Sequence, residues 1–155
     1  MVGRLKILKE NNLKLIDIEN VIKTLIPLEG AKNFLDWLKS EFQVIILSDT
    51  FYQFAKPLMG SLDYPTLFCH ELIIDNKGEI KGYHLRQSDG KTKAVSALKG
   101  LNFQVIAAGD SYNDIGMLKV ADAGILFCPP EKVIEEFPQF PVSLDYTEFK
   151  EIFLK

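Results

Sequence analysis

Two groups of polar residues follow apolar runs in this sequence, and their chemistry fits a phosphate group and a divalent cation. The run "VIAAGD" ends in Asp110, with Asn113 and Asp114 close behind it, and the run "VIILSD" ends in Ser48 and Asp49. Carboxylate oxygens such as those of Asp110 are ligands that suit Mg²⁺. A serine hydroxyl beside backbone N–H groups at the start of a helix suits an anion. The sequence therefore predicts a phosphate and Mg²⁺ site.

Lys91 lies between the two groups, after the segment "SDG" and just before a helical pattern. Its ammonium could place a point charge on a phosphate, and Asp114 could orient that lysine or a metal-bound water. Taken singly these signals are weak, because a Ser-Asp pair after a strand is most often a helix cap and a single lysine is most often solvated. The pattern Gly-Asp-x-x-Asn-Asp is stronger, since polar side chains at the end of a buried strand are costly without partners.

The elements that would position these residues alternate between strand and helix. Short continuous apolar runs are typical of strands buried on both faces, and the stretches between them have the apolar spacing of helices. A hairpin with its turn at residues 76–78 is also predicted. We therefore expect an α/β fold with a Rossmann-like parallel sheet, helices on both faces and an added β-hairpin. Ligands bind at the carboxyl ends of such strands, so both polar groups should open onto one edge.

The predicted strands are 43–49, 65–69, 103–110 and 124–128, with the hairpin over 71–85. The predicted helices are 3–25 with a break at residues 11–12, 31–38, 50–62, 91–101, 113–121, 129–137 and 143–155. The helix over 91–101 should bury one apolar face, made of Ala94, Ala97, Leu98 and Leu101.

Composition narrows the possible functions. The chain has 155 residues and a formal net charge of -3, which argues against a general nucleic-acid binder. No apolar run approaches the roughly 20 residues of a membrane span, and "MVGRLKILKENN" lacks the apolar core of a signal peptide. Cys69 and Cys128 each lie in an apolar run, so both are predicted to be buried, reduced thiols. These features favour a cytosolic protein.

The sequence resembles the phosphatases of the haloacid dehalogenase superfamily. Among them it is most similar to the phosphoserine phosphatases, and to the branch described as bifunctional phosphoserine phosphatase and homoserine phosphotransferase. The resemblance covers essentially all 155 residues. It is carried by "ILSDTFYQFAKPLM", "YPTLFCHEL", "GYHLRQ", "VIAAGDSYND", "AGILF" and "EFPQFP".

The resemblance implies a role for each candidate residue. Ser48 would bind the transferring phosphate, Lys91 would neutralise phosphate and carboxylate charge, and Asp110 would be a Mg²⁺ ligand. Asp49 would contact the substrate, and Asn113 would contact the phosphate or the substrate. Asp114 would support the ligand-binding residues from behind. Arg4 would be the cap arginine that holds the substrate carboxylate. His70 and His84 are expected to be structural, because the family's chemistry does not require histidine.

The resemblance also implies a Mg²⁺-dependent phosphomonoesterase or phosphotransferase that acts on a small amino-acid phosphate such as phosphoserine. Residues 1–26 would be the last part of a helical cap, and residues 27–155 the α/β core. A receiver-like domain is a weaker alternative, since the Gly-Asp-x-x-Asn-Asp pattern does not suit it.

The family's first motif, an Asp-x-Asp at the end of a central first strand, does not occur in this sequence. Its first aspartate is the nucleophile, and the motif also supplies other metal ligands. Asp17, Asp36 and Asp75 do not end predicted buried strands, so none replaces it. We expect one of three explanations: an active enzyme from which an N-terminal segment is missing, one half of a split enzyme, or a non-catalytic relative that binds phosphorylated ligands or a partner protein. A homodimer is a further possible assembly.

Overall fold

The structure, a computed structural model, describes residues 7–8 and 10–154, so Arg4 lies outside the described residues. The chain divides into two compact units, Met1–Ser88 and Asp89–Lys155. The boundary predicted between residues 26 and 27 separates cap from core and stays a prediction. Helices and parallel strands confirm the α/β class.

The first unit contains a three-stranded sheet of order β1-β2-β3. Strand β1 is parallel to β2, and β2 is antiparallel to β3. The short "IPLEG" segment separates the first helix from the second, whose buried residues Phe34 and Leu35 lie on the predicted apolar face. The elements are α1 (Leu15–Ile22), α2 (Ala31–Glu41), β1 (Ile45–Phe51), α3 (Tyr52–Ser61), β2 (Thr66–Ile74) and β3 (Ile80–His84).

Strand β2 combines two segments that the sequence pattern separates. The predicted strand 65–69 and the first hairpin strand form one nine-residue strand. Its first half pairs with β1 in parallel, and its second half pairs with β3 in antiparallel orientation. The predicted hairpin turn is confirmed: the Asp75 carboxylate accepts the N–H groups of Lys77 and Glu79, at 2.9 and 3.0 Å. A local Asx turn thus closes the hairpin.

The second unit contains an all-parallel sheet of order β4-β5-β6. Its most buried side chains include Leu118, Ile125, Leu126 and Val133. Strand β6 has two residues, which is too short for an apolar run to indicate. The elements are α4 (Gly90–Gly100), β4 (Ile106–Gly109), α5 (Ile115–Val120), β5 (Ala123–Phe127), α6 (Glu131–Glu136), β6 (Val142–Ser143) and α7 (Tyr146–Phe153).

The predicted buried face of α4 was wrong. Val95 is the buried residue of this helix, whereas Ala97 is exposed and Leu101 is 69% exposed. The cause is the neighbouring helix α5, where Gly116 lets the Thr92 hydroxyl approach so closely that a Cβ on Gly116 would overlap it. Tertiary packing therefore turns the Thr92 and Val95 side of α4 inward.

The two cysteines differ in their surroundings. Cys69 is buried, as predicted, but Cys128 is exposed, so that prediction was wrong. Strand β5 ends at Phe127, and Cys128 follows in a left-handed conformation with φ of 48°. Its thiol donates a hydrogen bond to the carbonyl of Leu144 at 3.0 Å. Both cysteines are free thiols, as expected.

We predict that one thiol per chain reacts rapidly with a disulfide reagent such as dithionitrobenzoate under native conditions. Burial raises the pKa of the Cys69 thiol to about 11, an effect that the charge of Arg86 only partly opposes. Since the thiolate is the reactive form, Cys69 should react roughly a hundredfold more slowly than an ordinary thiol. The variant Cys128→Ser should lose the rapid phase, and both thiols should react in guanidinium chloride. Two rapid thiols in the native chain would contradict the prediction.

None of the helices within residues 7–8 and 10–154 combines the length and the apolar character that a membrane span requires.

Candidate functional site

The carboxylate of Asp114 is the centre of a polar cluster in the second unit. Asp114 is only 3% exposed. Its Oδ1 accepts a hydrogen bond from Lys91 Nζ at 2.6 Å. Its Oδ2 accepts the N–H groups of Asp110 and Ser111, both at 3.1 Å, and the Ser111 hydroxyl at 2.9 Å. Through these hydrogen bonds the Asp114 carboxylate connects the start of α4 with the loop that follows β4.

The local sequence explains how Asp114 reaches this position. Strand β4 ends at Gly109, and a turn follows in which the Asp114 N–H donates to the Ser111 carbonyl at 2.9 Å. A Cβ on Gly109 would lie 2.5 Å from Asp114 Cγ, so only glycine allows this approach. Asp114 occupies the N-cap position of α5, yet its side chain makes no capping bond. Capping alone, the ordinary role of an aspartate there, does not explain this residue.

Sequence reasoning missed Ser111 and Gly109 as partners of Asp114. The available signal for Ser111 was its spacing three residues before Asp114, at which a hydroxyl and a carboxylate meet within one turn. Gly109 gave no comparable signal, because its importance comes from a contact with a side chain five residues later.

The Lys91–Asp114 pair is charged at neutral pH. Burial opposes ionisation of the Asp114 carboxyl, but the hydrogen bonds and charge of Lys91 and the hydrogen bonds from Ser111 outweigh it and lower its pKa. The side chains of Lys91 and Asp114 are 16% and 5% exposed. A pair this buried is weakly screened by solvent, so loss of either partner leaves an uncompensated charge in a poorly solvated place.

The lowered pKa of Asp114 predicts a specific dependence of stability on pH. Because the folded-state pKa lies below the ordinary value of 3.8, the stabilisation by ionised Asp114 is complete above that value and is lost as the pH falls through the folded-state pKa. We expect the difference in urea midpoint between wild type and Asp114→Asn to be constant from neutral pH to about pH 5, and to shrink below about pH 4. A difference that stayed constant under acid would contradict the prediction.

Asp110 and Asn113 are exposed and lie in the turn before α5. The sequence predicted that the helix begins at Asn113. This was wrong by two residues, since α5 begins at Ile115. Within the described part of the chain, no group of three or more His, Cys, Asp or Glu residues could hold a metal ion. Both Asp114 oxygens already accept hydrogen bonds, which leaves Asp110 as the carboxylate available to a cation.

This donor set fits Mg²⁺ only in part. Mg²⁺ is usually bound by one or two carboxylates together with substrate phosphates and several waters. Asp110 suits one such position, but the described residues alone do not complete a magnesium site.

Ser48 and Asp49 lie in the first unit. Their predicted place at a helix N-terminus was wrong, because β1 continues to Phe51 and α3 begins only at Tyr52. The regular pairing of β1 is interrupted between Leu47 and Phe51. In this interval Ser48 Oγ accepts the N–H of Thr50 at 3.3 Å. Ser48 thus binds a local backbone group rather than capping α3, which has no side-chain cap.

Of the predicted site residues, the structure brings Lys91, Asp110 and Asp114 together. The expected meeting of these residues with Ser48 and Asp49 at one edge stays a prediction. Three aspartates were excluded as substitutes for the first motif because none was predicted to end a buried strand. The structure agrees, with Asp17 in α1, Asp36 in α2 and Asp75 in the hairpin turn. The histidines are placed within strands, His70 inside β2 rather than after a strand, and His84 at the end of β3.

Comparison with known proteins supports a relationship over most of the chain. A family model for haloacid dehalogenase-like hydrolases matches residues 3–122. Phosphoserine phosphatase ThrH of Pseudomonas aeruginosa is 59% identical over all 155 residues, and the match spans 76% of that protein. A phosphoserine phosphatase of Pseudomonas syringae pv. tomato is 57% identical over the same residues, which correspond to 65% of its length. The chain thus spans about two thirds to three quarters of these relatives.

One solved structure is similar to this chain in its fold. It is described as a phospho-aspartyl intermediate analogue of phosphoserine phosphatase and matches with a TM-score of 0.74. The match covers 90% of this chain and 70% of that chain, at 24% sequence identity. At this identity the similarity concerns the fold.

Proposed function

The chain belongs to the haloacid dehalogenase-like hydrolases, and we propose that it forms part of the active site of a phosphomonoesterase that acts on phosphoserine. The observation that carries the proposal is the buried Lys91–Asp114 pair, held beside the exposed carboxylate of Asp110. The names of the relatives from the two Pseudomonas species support phosphoserine as the substrate. The products would be serine and phosphate, which fits a step in amino-acid biosynthesis. Transfer of the phosphate to another alcohol is the related alternative.

The proposed roles follow from charge. Phosphoryl transfer depends mainly on positioning and on stabilising negative charge as it moves among the phosphate oxygens. Asp114 pairs with Lys91 and orients it, so that the ammonium can lie against the phosphate and the attacking carboxylate. Ser48 and Asn113 would donate hydrogen bonds to the phosphate or the substrate, and Asp49 would contact the substrate beside Ser48.

We propose Mg²⁺ as the cofactor, with Asp110 as one of its ligands. When bound, the cation would supply further charge neutralisation at the phosphoryl oxygens. The other ligands would have to include the phosphate, water and carboxylates that the described residues do not provide.

The proposed reaction also needs a nucleophile. Covalent phosphoryl transfer requires an attacking carboxylate, and no Asp-x-Asp occurs in these 155 residues. The proposal therefore places the attacking aspartate on a segment outside these residues, either continuous with them or on a separate polypeptide.

The proposal is tested by measuring phosphate release from phosphoserine. The 155-residue chain is assayed alone and after mixing with a peptide that carries an apolar strand ending in Asp-x-Asp, with Mg²⁺ or with EDTA. We expect release only from the mixture and only with Mg²⁺. Asp110→Asn should abolish it, whereas Asp122→Asn, which alters an exposed carboxylate of the same unit, should not. Turnover without Mg²⁺, or turnover by Asp110→Asn, would overturn the mechanism.

A second candidate is a non-catalytic module that binds phosphorylated ligands, and the absence of Asp-x-Asp favours it. It predicts that phosphoserine raises the melting temperature of the chain, because a ligand that binds only the folded state stabilises it. It also predicts no phosphate release from the mixture. Release from the mixture would exclude it.

A further inference from the structure

His70 is a buried histidine on β2 that binds the backbone of the segment after β3. Its side chain is 6% exposed, and the Phe51 ring packs beside it, with 6.3 Å between the ring centroids. Its Nδ1 accepts the backbone N–H of Arg86 at 3.2 Å. Only an unprotonated ring nitrogen can accept a hydrogen bond, so this arrangement requires the neutral imidazole with its hydrogen on Nε2.

The linker, residues 85–88, is exposed and leads from β3 towards α4 without forming a helix or a strand. Arg86 attaches the linker to the first sheet in two ways. Its backbone N–H binds His70, and its guanidinium lies over the ring of Phe68, 3.9 Å from the centroid. The guanidinium also donates to the Tyr52 hydroxyl at 3.4 Å. Of these attachments, the bond to His70 is the one that depends on the protonation of an imidazole.

The other nitrogen of the His70 ring faces a carboxylate. Nε2 lies 3.9 Å from Asp49 Oδ1, which is too long for a hydrogen bond but within ion-pair distance. A positive charge on the imidazole would therefore be attracted towards Asp49. It would be repelled by Arg86, which is itself a cation.

Several titratable or charged groups lie on the elements around His70. They are Asp49 on β1, Cys69 and Glu71 on β2, Tyr52 at the start of α3, Tyr83 and His84 on β3, and Arg86 in the linker. Successive residues of a strand project from opposite faces, so Cys69 and Glu71 point away from the His70 ring. His84 pairs with Glu71 and lies on that opposite face as well. Among the described residues, Asp49 is therefore the acidic group that faces the imidazole.

Protonation would change Nδ1 of His70 from an acceptor into a donor. Both nitrogens of a charged imidazole carry hydrogen, so Nδ1–H would meet the Arg86 N–H, and two donors form no hydrogen bond. A backbone N–H that loses its partner needs another acceptor. Because the linker is exposed, water can accept this N–H once the linker moves away from the ring. The charged ring at the same time gains by approaching Asp49.

We propose that His70 is a pH-sensitive switch for the linker: the neutral imidazole binds Arg86, and the protonated imidazole releases it to solvent. This switch goes beyond the proposed function and does not depend on it. Histidine is the side chain whose charge ordinarily changes between about pH 5 and 8, so mild acid is the signal. Because the linker precedes α4, release would loosen the chain just before the helix that carries Lys91.

The test follows the Arg86 amide and the two histidines of the 155-residue chain by NMR from about pH 8 to pH 5.5, where ordinary carboxylates stay mostly ionised. The imidazole signals report protonation, and the protection factor of the Arg86 amide against hydrogen exchange reports its hydrogen bond. We expect this protection factor to fall about 2- to 10-fold as His70 becomes protonated, the factor that corresponds to one hydrogen bond. The Leu72 amide should keep its protection, because it donates to the Gln53 side chain at 3.0 Å and a carboxamide does not titrate.

Three variants assign the effect to the hydrogen bond between His70 and Arg86. His70→Asn keeps an acceptor near the place of Nδ1 and does not titrate, so the Arg86 amide should stay protected over the whole pH range. His84→Gln removes the other histidine, which is exposed at the end of β3, and should leave the fall in protection unchanged. Asp49→Asn removes the charge that the protonated ring approaches, so the fall should require more acid.

Four results would overturn the proposed switch. The Arg86 amide could stay equally protected while the His70 signals titrate, or the His70 signals could fail to titrate in this range. His70→Asn could show the same pH-dependent fall, in which case another group causes it. The Leu72 amide could lose protection together with Arg86, in which case acid loosens the sheet as a whole. The wild-type titration decides the first, second and fourth results even if His70→Asn fails to fold.

Discussion

Asp114→Ala is expected to lower the free energy of unfolding by about 3–5 kcal/mol, the range for removing one partner of a buried ion pair. The substitution leaves the Lys91 ammonium without its carboxylate in a place where it is 16% exposed. It also removes the acceptor for the partly buried N–H groups of Asp110 and Ser111, and each lost hydrogen bond contributes about 0.5–1.5 kcal/mol more. Urea unfolding monitored by far-UV circular dichroism measures the effect.

Two comparisons make the Asp114 experiment specific. Asp36→Ala removes an exposed carboxylate that pairs with Lys32 on the surface of α2, and it should have little effect because solvent screens such pairs. The double variant Lys91→Met/Asp114→Leu removes both charges, so it should be more stable than Asp114→Ala. If Asp114→Ala were no more destabilising than Asp36→Ala, the buried pair would not organise this loop.

Gly109→Ala is expected to destabilise the chain by about 1–3 kcal/mol, the usual range for adding a methyl group to a packed site. The new Cβ would overlap the Asp114 Cβ and lie 2.5 Å from its Cγ. These atoms are at the base of the side chain, so Asp114 can move away only if its hydrogen bonds to Ser111 and Lys91 break. The urea midpoint measures the loss, and binding of phosphate measured by calorimetry should weaken with it.

Gly100→Ala is the matched control for Gly109. Gly100 ends α4, and a Cβ there would meet no atom within 4 Å. Alanine favours the helix over glycine, so this variant should be unchanged or up to about 1 kcal/mol more stable. Equal effects at the two positions would show that the contact of Gly109 with Asp114 is not the cause.

Several elements could be predicted because their signals are local. The hairpin turn was predicted from turn-forming residues at 76–78, and the structure closes it with the Asp75 carboxylate. Helices α2 and α6 were predicted from apolar spacing and from prolines at a helix start, and Pro130 is the N-cap of α6. These features depend on residues within a few positions of one another, which is why spacing alone reveals them.

Other features depended on distant partners and were predicted wrongly. Thr92 faces α5 because Gly116 on that helix leaves room for it, and Val95, one turn further along α4, is buried. Strand β2 is continuous because its halves pair with two different strands. Cys128 is exposed because the chain turns at the end of β5, although the apolar run continues through it. In each case the apolar pattern was present, and the partner that decides which side is buried lay elsewhere in the chain.

By itself the sequence determined the class of fold, the family and the identity of the charged residues, because these follow from residue types and their order. Tertiary structure alone decided that Lys91 and Asp114, 23 positions apart, form one buried pair, and that Asp114 turns away from its helix toward Asp110 and Ser111. It also decided that Arg86 is stacked on Phe68 and joined to His70. The physical reason is that a charge or a hydrogen bond acts over a few ångströms in space, and distance along the chain does not report that separation.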